Sequence, residues 1–185
     1  KPTLYHIGSM NWMPNEEGIK WFLNNVWDNF IKKEPDAHLY LAGRHMPKWL
    51  IKTKKTNVHV LGEVDDAQEF IKDNDIAIVP LLSGSGIRIK IIESMAMGKT
   101  VITTMIGAEG IQYSEYENII IADEAAKMTE TMCKMRREPQ EAERIGRSAR
   151  KLVENIYDNK KIIDRLLIFY DEIGKDKKDI SYIKQ

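Results

Sequence analysis

Short, compact apolar runs alternate along this chain with longer stretches in which apolar residues recur at steps of three and four. Residues 3–7, 38–42, 57–61, 76–81, 100–104 and 118–121 are β-prone and bounded by turn residues, a pattern that predicts strands. Between them, residues 16–32 set Ile19, Phe22, Leu23, Val26 and Phe30 on one side, and residues 67–72, 87–97 and 124–136 repeat the helical spacing. Strands that alternate with helices build parallel βαβ units. The expected fold class is therefore α/β, a parallel sheet with helices on both faces.

After Ile121 the alternation ends. Residues 141–156 and 160–173 carry two further helical patterns, expected to pack across the sheet or against a neighbour. Gly174 is expected to stop the last helix, which leaves residues 1–173 as the folded domain and 174–185 as a frayed polar tail.

Composition narrows the partners. The chain has 185 residues, 43% hydrophobic and 30% charged, enough apolar surface for one core. Lys plus Arg and Asp plus Glu both count 28, so no long-range field draws nucleic acid or anionic lipid. The single cysteine, Cys133, excludes a disulfide framework and reads as a buried thiol in a reducing, cytoplasmic setting. No apolar run reaches the roughly 20 residues that span a bilayer. A strand begins within three residues of Lys1, which suggests a cut inside a longer polypeptide.

One stretch sets a chemical problem. In "SGSGIRIKIIESMAMGKTV", residues 83–101, Arg88 and Lys90 follow two glycines and fall in the first turn of an expected helix. Free N–H groups already make that end electropositive, and a cation there costs a few tenths to about 1 kcal/mol. An anion would reverse the sign, because small loop residues admit a ligand to the backbone and helix N-termini bind phosphates. Arg88 offers a fork for phosphate oxygens and Lys90 a mobile point charge. Lys90 and Glu93 stand three apart, so they either face a ligand or form an i,i+3 ion pair. The surrounding helix reads as apolar nearly all round and hence as mostly buried.

The segment "SGSGIRIKIIESMAMGKTVITTMIGAEGI" resembles the donor-binding core of retaining glycosyltransferases of the GT4 group, whose architecture is called GT-B. Their pattern is E-x7-E followed by A-M-A-x-G-x-P-V and a glycine-rich turn. "HIGSMNWMPNEEGIKWF", "PDAHLYLAGR" and "NVHVLGEVDDAQEFIKDNDIAIVPL" match the preceding elements in order, so the resemblance covers about residues 3–170. It implies a Rossmann-like domain, the carboxyl-terminal half of a two-domain enzyme, with an absent amino-terminal domain as its partner and acceptor site. A UDP- or GDP-sugar would be the donor substrate, with no cofactor and no metal. Any membrane contact would be peripheral and through the missing half.

Carried over by position, the resemblance implies that Glu93 holds the ribose hydroxyls. Arg88, Lys90, Gly8, Ser9 and Gly86 would lie at the diphosphate, Ser83, Gly84 and Ser85 beside the sugar, and Gly62, Glu63 and Val64 beside the base. Two departures stand out. The first Glu of the pattern falls on Ser85, and no basic residue follows the first glycine loop until Lys20. The phosphate charge therefore falls to Arg88 and Lys90 alone. The alternative readings are a related GT-B enzyme that epimerises or hydrolyses a nucleotide sugar without an acceptor, and a noncatalytic interaction module. A noncatalytic flavodoxin-like module would need an acidic cluster after the first strand, where "HIGSMN" has none.

Other signals carry less. "DND", residues 73–75, has the D-x-D form of a metal site but precedes a strand, at the wrong end of the sheet. His6, His38, His45 and His59 lack ligand spacing. "KWLIKTKKT", residues 48–56, reads as a solvated amphipathic helix rather than a nucleic-acid patch. Asn15 is the candidate cap of the first helix. Trp12 and Met13 are free to touch a donor, an acceptor or the missing half.

Overall fold

The computed structural model describes the backbone of residues 1–181 and the side chains of residues 1–173. Six strands form one parallel sheet: β1 (Leu4–Ile7), β2 (Leu39–Ala42), β3 (Val58–Gly62), β4 (Ile76–Val79), β5 (Thr100–Thr103) and β6 (Ile120–Ile121). Their order is β3-β2-β1-β4-β5-β6, the doubly wound arrangement in which the order reverses between β1 and β4. The register pairs Leu4 with Leu39 on one side of β1 and with Ile76 on the other.

Successive strand residues serve opposite faces. Leu4, Ile76, Ile78 and Ile102 point into one core layer with Phe22, Trp27, Phe30 and Met132. Tyr5, Ala77, Val79 and Val101 point into the other with Phe70, Ile91, Met95 and Val153. The first layer is roofed by α1 (Met13–Phe22), a π-helical segment (Leu23–Trp27), α2 (Asp28–Lys33) and α6 (Ala125–Arg137). The second is roofed by α4 (Ala67–Lys72), α5 (Ile89–Ala96) and α7 (Pro139–Ile156). Every strand expected from the sequence is present, five of them shortened by one or two residues and β3 shifted by one, from 57–61 to Val58–Gly62.

Four expectations need correction. The helix expected over 87–97 begins at Ile89 with Arg88 as its extended N-cap, so only Lys90 of the two cations is helical. That helix is not buried all round: Ile89 is 70% exposed and Glu93 is open to solvent. The basic helix expected over 48–56 is only α3 (Lys48–Ile51), with the Trp49 indole N–H donating to Glu16 at 2.7 Å. Gly174 does not end the last helix, α8 (Asn159–Ser181), because a lone helical glycine costs only about 1 kcal/mol beside good helix formers. The last four residues of the expected tail, 182–185, lie outside the described residues.

Cys133 is buried, and burial pushes its thiol up from the ordinary value. Asp75 of "DND" accepts from the Thr3 backbone N–H at 2.7 Å and its hydroxyl at 2.9 Å. It ties the entry of β1 to β4. Among the described residues no helix is long and apolar enough to cross a membrane.

Gly18 lets α1 lie against the carboxyl end of β4: a Cβ there would stand 2.3 Å from the Pro80 carbonyl oxygen. Gly18→Ala must lift α1 off the sheet, and overpacking of that kind costs about 1–3 kcal/mol. Thermal melts should show a drop of about 2–4 °C per kcal/mol lost, despite alanine's better helix propensity.

Candidate functional site

Two loops leave the sheet where the strand order reverses, one from β1 through Gly8 and Ser9, the other from β4 through residues 80–88. Trp12 joins them. Its Cζ2 lies 3.2 Å from the point where a Gly84 Cβ would stand, and its ring centroid is 5.3 Å from Arg88 Cζ and 5.8 Å from Lys90 Nζ. One indole thus covers both cations, at distances where each cation–π contact is worth about 0.5–2 kcal/mol.

The two cations differ in what they do. Arg88 is buried and folds back on its own loop, donating from Nη1 to the Ser85 carbonyl and, at 2.5 Å, to the Gly86 carbonyl. Its Nε and Nη2 are buried without a hydrogen-bond partner. Ser83 fastens the other side of this loop by donating to Glu17 on α1 at 3.0 Å. Lys90 instead turns inward to the β1 loop, donating to Asn15 Oδ1 at 2.5 Å. A Cβ on Gly8 would meet Lys90 Nζ at 2.5 Å, Asn15 Nδ2 at 2.8 Å and His6 Nε2 at 3.3 Å. Glycine at position 8 is what lets these three groups converge.

Among the described residues no carboxylate pairs with Lys90. Glu93 makes no ion pair with it and stands exposed one turn on, which removes the i,i+3 reading. Burial pushes the Lys90 amine down from about 10.5 to about 7, with the charge of Arg88 as second cause. His6 is held neutral, pushed down to about 3 by burial and then by Lys90. Since His6 Nδ1 lies 2.8 Å from the Ile78 carbonyl, Nδ1 carries the proton and Nε2 is an acceptor, buried without a partner.

The remaining site residues spread along the same edge. Gly62 accepts from the Gly43 N–H at 2.7 Å, Glu63 pairs with Arg44 at 2.7 Å on the surface, and Val64 packs against the second core layer. Gly84, Ser85 and Gly86 are exposed, whereas Gly8, Ser9 and Ser83 are half-buried. Asn15 is not the helix cap: Trp12 holds that position without a side-chain bond, and Asn15 is buried in the first turn. Its part in the site was missed in the sequence because an Asn after Pro at a helix start reads as a cap. His6 was missed because the four histidines show no ligand spacing in the sequence. A cavity of about 350 Å³, lined by Lys1, Asp75, Lys99 and Glu143 among others, lies at the opposite end of the sheet. It brings together no comparable set of cations and backbone donors.

A family model described as Glycosyl transferases group 1 matches residues 1–138. The chain belongs to that family. It is 26% identical over 170 residues to an uncharacterized 44.6 kDa protein in the cps region of Klebsiella pneumoniae, covering 86% of this chain and 44% of that protein. Its fold matches S. aureus TarM, solved as a variant in complex with fondaparinux, alpha-GlcNAc-glycerol and UDP, with TM-score 0.75 at 19% identity over 90% of this chain and 35% of TarM. It also matches the carboxyl-terminal domain of the glycosyl transferase group 1 family protein LpcC from Francisella tularensis, with TM-score 0.65 at 18% identity over 85% of this chain and 87% of that one. The glycosyltransferase domain described here is thus of the carboxyl-terminal GT-B type. It spans less than half the length of the Klebsiella protein.

The half-buried Lys90 amine has a thermodynamic signature. Below pH 7 both native and unfolded chains carry charged Lys90, and the native state bears the full cost. Between pH 7 and about 10.5 only the unfolded state binds the proton, so this contribution to stability rises with pH. The difference in melting temperature between Lys90→Met and wild type should therefore be more positive at pH 6.5 than at pH 10, by about 2–4 °C for each kcal/mol of relieved burial.

Proposed function

We propose that this glycosyltransferase domain is the nucleotide-sugar-binding half of a retaining enzyme that transfers a hexosyl unit from a UDP- or GDP-sugar. The acceptor would be a glycan or lipid-linked sugar in polysaccharide biosynthesis, held by a second domain, and the setting cytoplasmic or membrane-peripheral. The observation that carries the reading is the Lys90 ammonium beside Arg88 at the strand-order reversal, facing the Gly8 loop with a neutral amide and no carboxylate as partner among the described residues. TarM, whose fold this chain shares, was solved with UDP, and the Klebsiella relative belongs to a cps region; both agree with this direction.

In the proposed reaction Lys90 and Arg88 face the diphosphate and offset the negative charge that grows on the departing nucleotide. Donors fixed in place where charge develops stabilise a transition state without reorganisation. This takes the role that a metal ion fills elsewhere, and none is called for. Glu93 is placed to accept from the ribose hydroxyls, Gly62, Glu63 and Val64 lie on the base side, and Ser83, Gly84 and Ser85 border the sugar. The domain alone lacks an acceptor site and should transfer nothing.

Calorimetric titration and thermal melts test the reading together. UDP or GDP should raise the melting temperature, by an amount equivalent to about 2.7 kcal/mol at a hundredfold excess over Kd, and Lys90→Ala should remove most of the shift. Absence of a shift with both nucleotides at millimolar concentration would overturn it. Because the free amine titrates near 7 and the complex needs the ammonium, affinity should fall as pH rises from 7 to 9, with proton uptake on binding.

A further inference from the structure

Residues 15–17 read Asn-Glu-Glu, three consecutive acceptors at the start of α1. Only the neutral one meets Lys90. Glu16 is engaged by the Trp49 indole at 2.7 Å and Glu17 by the Ser83 hydroxyl at 3.0 Å. Asn15 is 3% exposed and uses both ends of its amide: Oδ1 accepts from Lys90 at 2.5 Å, and Nδ2 donates to the Ser9 carbonyl at 2.8 Å. The side chain therefore bridges the loop after β1 to the first turn of α5, across the point where the strand order reverses.

We propose that Asn15 is a positioning residue for the Lys90 ammonium, aiming it over Gly8 through an uncharged acceptor so that its charge stays available to a diphosphate. This rests on the nucleotide-sugar reading above. A carboxylate at position 15 would hold the amine more firmly but would cancel its charge and occupy the place of the anion. An aliphatic residue would leave the charge but not its aim. The amide satisfies both demands, and its Nδ2 contact fixes which way the group is turned. Among the described residues the other groups facing Lys90 supply no anion: Arg88 is a cation, and His6 from β1 is a neutral ring whose Nε2 has no partner. The neighbouring Tyr5 hydroxyl donates to Ser94, Glu93 on the same helix is exposed, and the Trp12 ring covers the outer side.

The experiment pairs two variants with two readouts. Side-chain NMR titration of Lys90 in the ligand-free domain reports its charge, and calorimetry with UDP and with inorganic pyrophosphate between pH 6 and 9 reports binding. Asn15→Asp should move the Lys90 titration upward by about a unit or more and weaken both ligands about tenfold or more at pH 6.5, since one pKa unit is tenfold in equilibrium. Asn15→Leu should leave the titration at or below its original position and still weaken both ligands, while adding no negative charge. If Asn15 is merely structural, both variants lower the melting temperature with the Lys90 titration and the ligand Kd of the folded protein unmoved, and the assignment is overturned. If neither ligand binds the wild-type domain, the nucleotide-sugar reading itself falls, whatever the Lys90 titration shows.

Discussion

A half-buried positive charge with no negative partner among the described residues is the constraint around which this domain is organised. Water would solvate the Lys90 ammonium far better than its actual surroundings do, which is why its proton is held so loosely. What keeps it in place is a set of weak, uncharged contacts: an amide oxygen, an indole face and the space above a residue with no side chain. None of these neutralises it. A folded protein retains such an arrangement only where something else is supported by it, since burying an unpaired charge is costly.

The scaffold makes that arrangement possible by being stiff where the loops are anchored. β1 and β4 are buried on both faces and tied at their entry by Asp75, so their exits have little freedom to shift. Gly18 draws α1 onto the end of β4, which brings Glu17 to the β4 loop and Asn15 between the β1 loop and Lys90 of α5. The site is thus assembled from three separate segments. Core packing anchors each segment, and contacts within the site join them.

Much of the architecture could be read in the sequence because strands buried on both faces appear as continuous apolar runs, and here they alternate with helical spacing without ambiguity. The two cations could be found because charge at a helix N-terminus breaks a local rule. What each cation touches could not. The inward turn of Lys90 and the fold-back of Arg88 depend on residues 75 and two or three positions away respectively, and only the first of these distances is hidden from local pattern. The exposure of Ile89 and Glu93 was misjudged because periodicity reports which residues are apolar, not whether a neighbouring layer covers them. The glycines were ambiguous for a related reason. At Gly43, in "LAGR", a Cβ would lie 2.0 Å from the Gly8 carbonyl oxygen, so the space that this glycine leaves is filled by chain.

The clamp that Arg88 places on its loop is made entirely on main-chain carbonyls, those of Ser85 and Gly86. Carbonyl oxygens are the same in every residue. The loop's curvature is therefore insensitive to which side chain projects from position 85, and that side chain is released from any duty in folding. A site built this way can exchange a carboxylate for a hydroxyl at its outer edge without being rebuilt beneath, so variation at this position is open to selection for ligand preference alone.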